Sequence, residues 1–138
     1  MRDSLEICVI PVPSSEKSIQ QRGRVHILPI ACAVCEGLEI YSRQSKTALK
    51  SHVCRALTIE KHTKKSVTQS DRRQRSTRLL HSLRLCAPHR MNHHCVILVD
   101  DIATTGSTLR ACARKLKRHG ADVLCAVVIA DSSLEEEQ

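Results

Sequence analysis

Apolar residues fall in short runs along the chain, and their spacing changes from one stretch to the next. From Glu6 to Val12 a β-branched, apolar stretch ends in Pro11-Val12-Pro13, the pattern of a strand running into a loop. Ser14-Ser15-Glu16 then offers a helix start, and apolar residues recur from Ile19 through Leu38, with a kink expected at Pro29 and a stop at Gly37. Tyr41 to Ile59 fits two patterns: Ala48, Leu49, Val53 and Leu57 suit a helix face, while Val53 to Ile59 suits a strand. Lys61 to Arg75 has no period and reads as a loop. Order resumes from Leu79 to Leu85, and Pro88 to His94 reads as a connector.

The last third is the clearest. His94 to Val99 is a continuous apolar run, as expected of a strand buried on both faces of a parallel sheet. Asp100 to Gly106 reads as a loop, and Ser107 to His119 as a helix with Leu109, Ala113 and Leu116 on one face, stopped by Gly120. Val123 to Ala130 is a second all-apolar strand, so 37 residues hold one βαβ unit. The fold class expected is α/β: a single domain over 1–138, with a mostly parallel central sheet flanked by helices.

Charge sharpens this picture. Lys and Arg number 22 against 14 Asp and Glu, a net charge of +8. The whole excess sits between Lys61 and Arg90, where nine basic residues face one acidic residue, Asp71. A basic, flexible loop over 61–78 is expected there, facing either a polyanion or solvent. An acidic tail over 131–138 is expected to fray. With one Tyr and no Phe or Trp, surfaces that stack bases on aromatic rings are disfavoured. Neither a spanning run of about 20 apolar residues nor a secretory leader is present, so no membrane association and a cytoplasmic location are expected. Of the eight cysteines, Cys8, Cys95 and Cys125 lie in apolar runs and read as small buried hydrophobes with reduced thiols. Cys32-Ala33-Val34-Cys35 has the spacing of half a zinc site, but no second pair accompanies it, so core packing is expected and no metal.

Chemistry concentrates in Asp100-Asp101-Ile102-Ala103-Thr104-Thr105-Gly106-Ser107-Thr108. Ligands of open α/β sheets bind beyond the carboxyl ends of the strands, where this loop would lie. The N–H groups that open the following helix favour a phosphate, and Thr104, Thr105, Ser107 and Thr108 add hydroxyl donors. Gly106 lets the backbone curl tightly around an anion. Asp100 and Asp101 would repel a phosphate but accept hydrogen bonds from the hydroxyls of a sugar. Phosphate at one end and a diol at the other is the demand of a ribose 5-phosphate. A Walker B strand would need a Gly-x-x-x-x-Gly-Lys-Ser/Thr loop, which the chain lacks.

This stretch resembles the signature with which type I phosphoribosyltransferases bind 5-phosphoribosyl 1-pyrophosphate (PRPP): a hydrophobic strand, Asp-Asp, then Thr-Thr-Gly-x-Thr. It differs only at Ala103, where a larger aliphatic residue is usual. Upstream, Ile10-Pro11-Val12-Pro13, Lys17 and Arg22-Gly23 resemble the opening of the ComF-type group, associated with DNA uptake competence. There the Arg-Gly motif usually continues Phe-Asn-Gln; here Arg24-Val25-His26 follows. The resemblance implies a Rossmann-like phosphoribosyltransferase domain in which Asp100, Asp101, Ala103, Thr104, Thr105, Gly106, Ser107 and Thr108 bind PRPP. It implies Arg22 or Lys17 at the pyrophosphate as catalytic groups, Mg²⁺ carried on the substrate, an acceptor of unstated identity, and a homodimer. The loop over 61–75 would resemble the hood that closes over PRPP. A second reading is a non-catalytic PRPP or nucleotide sensor that binds nucleic acid weakly through 61–90. ComF-type proteins often carry a four-Cys zinc module ahead of the transferase strand; this chain begins at that strand, and the module is not expected in it.

Overall fold

The computed structural model describes residues 4–13, 27–60, 80–86 and 91–131. Along the chain come β1 (Leu5–Pro11), α1 (Ile27–Ser45), β2 (Leu49–Val53), β3 (Leu57–Ile59), β4 (Leu83–Leu85), β5 (Cys95–Ala103), α2 (Ser107–Arg118) and β6 (Asp122–Asp131). β2, β1, β5 and β6 form a four-stranded sheet in that order, every pairing parallel, while β3 and β4 pair antiparallel in a small second sheet. The expected parallel α/β architecture is what the chain adopts.

The strands explain the two-sided burial. Ile7 to Pro11 are all buried, and Ile7↔Cys95 through Pro11↔Val99 fix the register of β1 against β5. Alternate side chains serve different cores. Cys8, Ile10, Val96 and Leu98 pack with Ala111, Cys112 and Leu116 of α2 and with Leu57 and Leu83 of the small sheet. Ile7, Val9, Ile97 and Val99 pack with Ile27, Ala31 and Cys35 of α1, which recur every fourth residue on one helix face. Each fully buried Val, Leu or Ile contributes about 1.5–3 kcal/mol relative to exposure.

Several boundaries differ from expectation, each for a physical reason. The start expected at Ser14 lies outside the described residues, and α1 is described from Ile27 to Ser45. Pro29 sits in the first described turn, where the missing N–H costs no helical bond. Gly37 does not stop the helix. A Cβ there would touch nothing within 4 Å, so its cost of about 1 kcal/mol relative to Ala is outweighed by the buried face. The helix ends at Ser45, where Lys46 turns left-handed (φ 54°), and Ser42 Oγ donates to the Thr47 carbonyl at 2.7 Å. Tyr41 to Ile59 is thus the last turn of a helix and two strands.

β5 runs through the expected loop to Ala103, because β6 keeps pairing with it: Asp100↔Val128, Ile102↔Ala130 and Ala103↔Asp131. Among the described residues β6 is an edge strand, largely exposed, and Asp131 is its last residue. Cys125 is therefore exposed and Cys95 half-buried, against the expectation that both are core hydrophobes. Cys8 is buried as expected, whereas of the Cys32/Cys35 pair only Cys35 is. The basic loop over 61–78 and the tail beyond Asp131 lie outside the described residues.

At the amino end of the sheet Cys8 Sγ lies 3.4 Å from His52 Nε2 and 3.7 Å from His94 Nδ1, and His52 Nδ1 lies 3.5 Å from Glu6 Oε1. Burial, with Cys54, Glu6 and Cys95 nearby, pushes the Cys8 thiol from 9.0 up to about 11. Burial pushes Cys112 up to about 12, aided by the Asp100 carboxylate, and raises Cys35 as well. Among the described residues no group of three His, Cys, Asp or Glu side chains is placed to hold a metal ion.

These thiols keep their protons in the fold at a pH where an unfolded chain loses them. Their contribution is therefore complete below the ordinary value of 9.0 and is lost as pH rises from there through about 11 and about 12. The expected outcome is a denaturation midpoint that is flat to pH 8.5 and falls above it, measured by urea titration across alkaline pH. In the native protein at pH 8, alkylation followed by peptide mass spectrometry should label Cys32 and Cys86 at least about a hundredfold faster than Cys8 or Cys112.

Candidate functional site

β1 leads on to β2 on one side of it, and β5 leads through α2 to β6 on the other. Between β1 and β5 the winding direction reverses, and at such a switch point the loops at the carboxyl ends of the strands part to leave a crevice. The two strand ends are tied there, since the Val12 amide donates to the Val99 carbonyl at 2.9 Å.

β5 delivers Asp100 and Asp101 into this position. Asp100 is half-buried and faces Cys112 under α2, and its Oδ1 accepts the Asp101 amide at 2.9 Å. Asp101 Oδ1 accepts the Ile102 amide at 2.9 Å. Each carboxylate is thus fixed by the backbone that follows it and stands at the end of a rigid strand, not on a loop.

The turn into α2 is built on Gly106, which serves as N-cap in the left-handed region (φ 68°, ψ 8°), where an L side chain is strained. It brings no capping side chain, and the first turn of α2 holds no acidic residue. The amino end of α2 therefore carries its partial positive charge without an internal counter-charge. Thr105 Oγ1 donates to Ser107 Oγ at 3.0 Å and accepts the Ser107 amide at 3.4 Å. A small depression is lined by Asp100, Ala103, Thr104, Gly106, Ser107 and Thr108, together with Ile102 and Leu109. Carboxylate, hydroxyls and helix N–H groups thus meet in one place, with Asp101 and Thr105 just outside the lining.

Arg110 belongs to this site although the sequence pattern did not single it out. Its Nη2 donates to the Thr105 carbonyl at 2.7 Å, and its Nη1 would lie 3.1 Å from a Cβ at position 106. The guanidinium holds the turn and adds a fixed positive charge beside it. The readable signal was a cation near the start of a helix, where it opposes the dipole and calls for a local reason. Lys17 and Arg22 lie outside the described residues. The chain leaves the described part at Pro13, beyond the carboxyl end of β1 and on the same edge of the sheet as this loop.

An open parallel α/β sheet with a polar loop site at its switch point is the class these features define. The phosphoribosyl transferase domain family matches residues 49–138. The chain belongs to that family, and the matched stretch runs from β2 to the end and contains the whole of the loop from Asp100 to Thr108. No curated protein matches the chain.

Gly106→Ala tests whether the turn depends on its left-handed backbone. The expected cost is about 1–2 kcal/mol in urea denaturation. Arg110→Ala in the same chain should not restore it, because the strain lies in φ and not in the contact with the guanidinium. Full recovery in the double variant would assign the cost to crowding instead.

Proposed function

We propose that this chain transfers the phosphoribosyl group of Mg-PRPP to a nitrogen nucleophile in the cytoplasm. The bond from ribose C1 to the pyrophosphate oxygen breaks, a C1–N bond forms, and the nitrogen gives up a proton. The observation that carries this reading is the junction of β5 and α2. Two carboxylates fixed on the strand end stand next to an uncapped helix start rich in hydroxyls.

In this reading Asp100 and Asp101 accept hydrogen bonds from the 2- and 3-hydroxyls of ribose. Ala103, Thr104, Thr105, Gly106, Ser107 and Thr108 surround the 5-phosphate, whose charge completes the amino end of α2. Arg110 steadies the turn and lends its charge to the same anion. Asp100 and Asp101 would offer carboxylate oxygens to the hydration shell of an ion that arrives on its substrate. The ion's chemistry would be to neutralise the pyrophosphate as it leaves. Arg22 or Lys17 would do the same from the protein side, where an added cation stabilises developing charge.

ComF-type membership rests on Ile10-Pro11-Val12-Pro13, Lys17 and Arg22-Gly23, all ahead of the matched stretch, and is part of the proposal. The basic segment is assigned to PRPP rather than to nucleic acid. Without aromatic stacking, worth about 1–3 kcal/mol per base, only salt-sensitive phosphate attraction would remain.

Calorimetry with Mg-PRPP is the direct test, followed by pyrophosphate release against a panel of amines and nucleobases. Binding is expected, and Thr105→Ala with Gly106→Val should abolish it while the circular dichroism spectrum stays native. Equal affinity in that double variant removes the loop from the site. Binding without pyrophosphate release from any acceptor moves the chain to the sensor class. In a parallel digestion at 150 mM salt (about physiological ionic strength), Mg-PRPP should protect 61–75 from trypsin. Protection by DNA alone would favour a nucleic-acid module.

A further inference from the structure

Cys32-Ala33-Val34-Cys35 is a motif that the loop site does not use, and core packing accounts for only half of it. Cys35 is buried with Ile27 and Ala31 of α1 against Ile7, Val9, Ile97 and Val99 of the sheet. Cys32 is exposed on the same helix and lies outside that core. No other two cysteines stand so close in the sequence.

Helix geometry brings the pair within bonding range. Three residues advance an α-helix by about 4.5 Å and stop about 60° short of a full turn, so the two Cα atoms lie about 5 Å apart. A disulfide bridges residues at roughly 4.4–6.8 Å, and positions i and i+3 are neighbours on the helix surface. The Cys35 thiol registers its surroundings. Burial chiefly raises it, the Ser51 hydroxyl lowers it in part, and Cys32 and Glu39 raise it further. Ser51 reaches across from β2 and donates its hydroxyl to the Cys35 carbonyl at 3.3 Å.

We propose that Cys32 and Cys35 form a redox-active dithiol, which a small-molecule disulfide such as oxidised glutathione converts reversibly into an intrahelical disulfide. The inference does not depend on the catalytic reading.

Exposure fixes the order of events. The Cys32 thiolate attacks one sulfur of the incoming disulfide, whose S–S bond breaks. The other half leaves as a thiol, carrying the proton that Cys32 gave up. The Cys35 thiolate then attacks the Cys32 sulfur of the mixed disulfide, the Cys32–Cys35 bond forms, and the second small thiol leaves with the proton from Cys35. Two protein thiols are oxidised and one small disulfide is reduced to two thiols. The thiolate is the nucleophile, so the raised Cys35 thiol slows the second step, and the Ser51 hydroxyl eases it. Strain makes the bond reversible. Cβ atoms three residues apart on a helix lie about 5–6 Å from one another, whereas a disulfide needs about 3.5–4.5 Å. The turn through Ala33 and Val34 must tighten to close it, and strained disulfides are the easily reduced ones. In a reducing compartment such a pair acts as a transient sensor rather than a staple.

The test equilibrates the full chain at about pH 7.5 with graded ratios of oxidised to reduced glutathione, then quenches it in acid, alkylates and digests with trypsin. Cleavage after Arg24 and Arg43 leaves Cys32 and Cys35 in one peptide with no other cysteine. On oxidation that peptide should lose two hydrogens and resist alkylation, and dithiothreitol should restore both thiols. Cys35→Ser should leave glutathione held on Cys32, and in Cys32→Ser the reaction of Cys35 should be at least about tenfold slower. Release of the second glutathione should quicken about tenfold from pH 7 to pH 8, as the thiolate fraction of Cys35 does. Two free thiols at every ratio overturn the proposal. So does a Cys32 that stays glutathionylated beside a free Cys35, a Cys35 joined to any other cysteine, or a bond that forms only in urea. A second release indifferent to pH overturns the assigned order.

Discussion

Everything else in this fold hangs on the parallel pairing of β1 with β5. Both strands are buried on both faces between Ile7 and Pro11 and between Val96 and Val99, so a slip of one residue would exchange the two cores. Cys8 and Leu98 would then face α1, and Val9 and Ile97 would face α2. The cores differ in what they must fit, since one meets a long helix and the other a shorter helix and a small antiparallel sheet. That asymmetry holds the register. The register in turn sets where β5 releases Asp100 and Asp101 relative to the end of β1, and the site inherits its geometry from it.

The strands β1, β5 and β6 were legible as continuous apolar runs, and the helix α2 as an apolar face at helical spacing stopped by Gly120, so their βαβ order could be read directly. Less legible were features in which a partner decides. Gly37 reads as a stop, but Ile27, Ala31 and Cys35 gain enough by burial to carry the helix past it. Asp100 and Asp101 read as loop residues because they are charged, but the neighbouring backbone of β6 keeps them in a strand. Cys125 reads as core from its neighbours in sequence, whereas its exposure depends on β6 being the outermost strand among the described residues. In the site, the loop from Asp100 to Thr108 could be named in full. Arg110 could not, since its role depends on a contact with the Thr105 carbonyl that only the turn at Gly106 creates.

The absence of Phe and Trp leaves its mark on how the interior is filled. Ile, Val, Leu, Ala and Cys make up nearly all of it, with Met91 as a single flexible filler. Small and branched side chains suit close contact between a helix and a sheet, and buried thiols that keep their protons serve there as apolar volume. Beyond the strand ends, the bonds that hold the chain at the site come from polar groups: the Val12 amide on the Val99 carbonyl and the Arg110 guanidinium on the Thr105 carbonyl.

α2 is electrically unfinished. Its last turn carries Lys115, Lys117 and Arg118, which answer the negative end of the helix, while its first turn has no acidic residue and a cap with no side chain. An anion seated at Gly106 would supply the missing half, acting as the cap that the sequence omits. Since α2 also carries Cys112 and Leu116 into the core, such a ligand would be a structural member of the fold as well as its cargo. Occupancy and thermal stability would then rise together with ligand concentration, as one linked quantity.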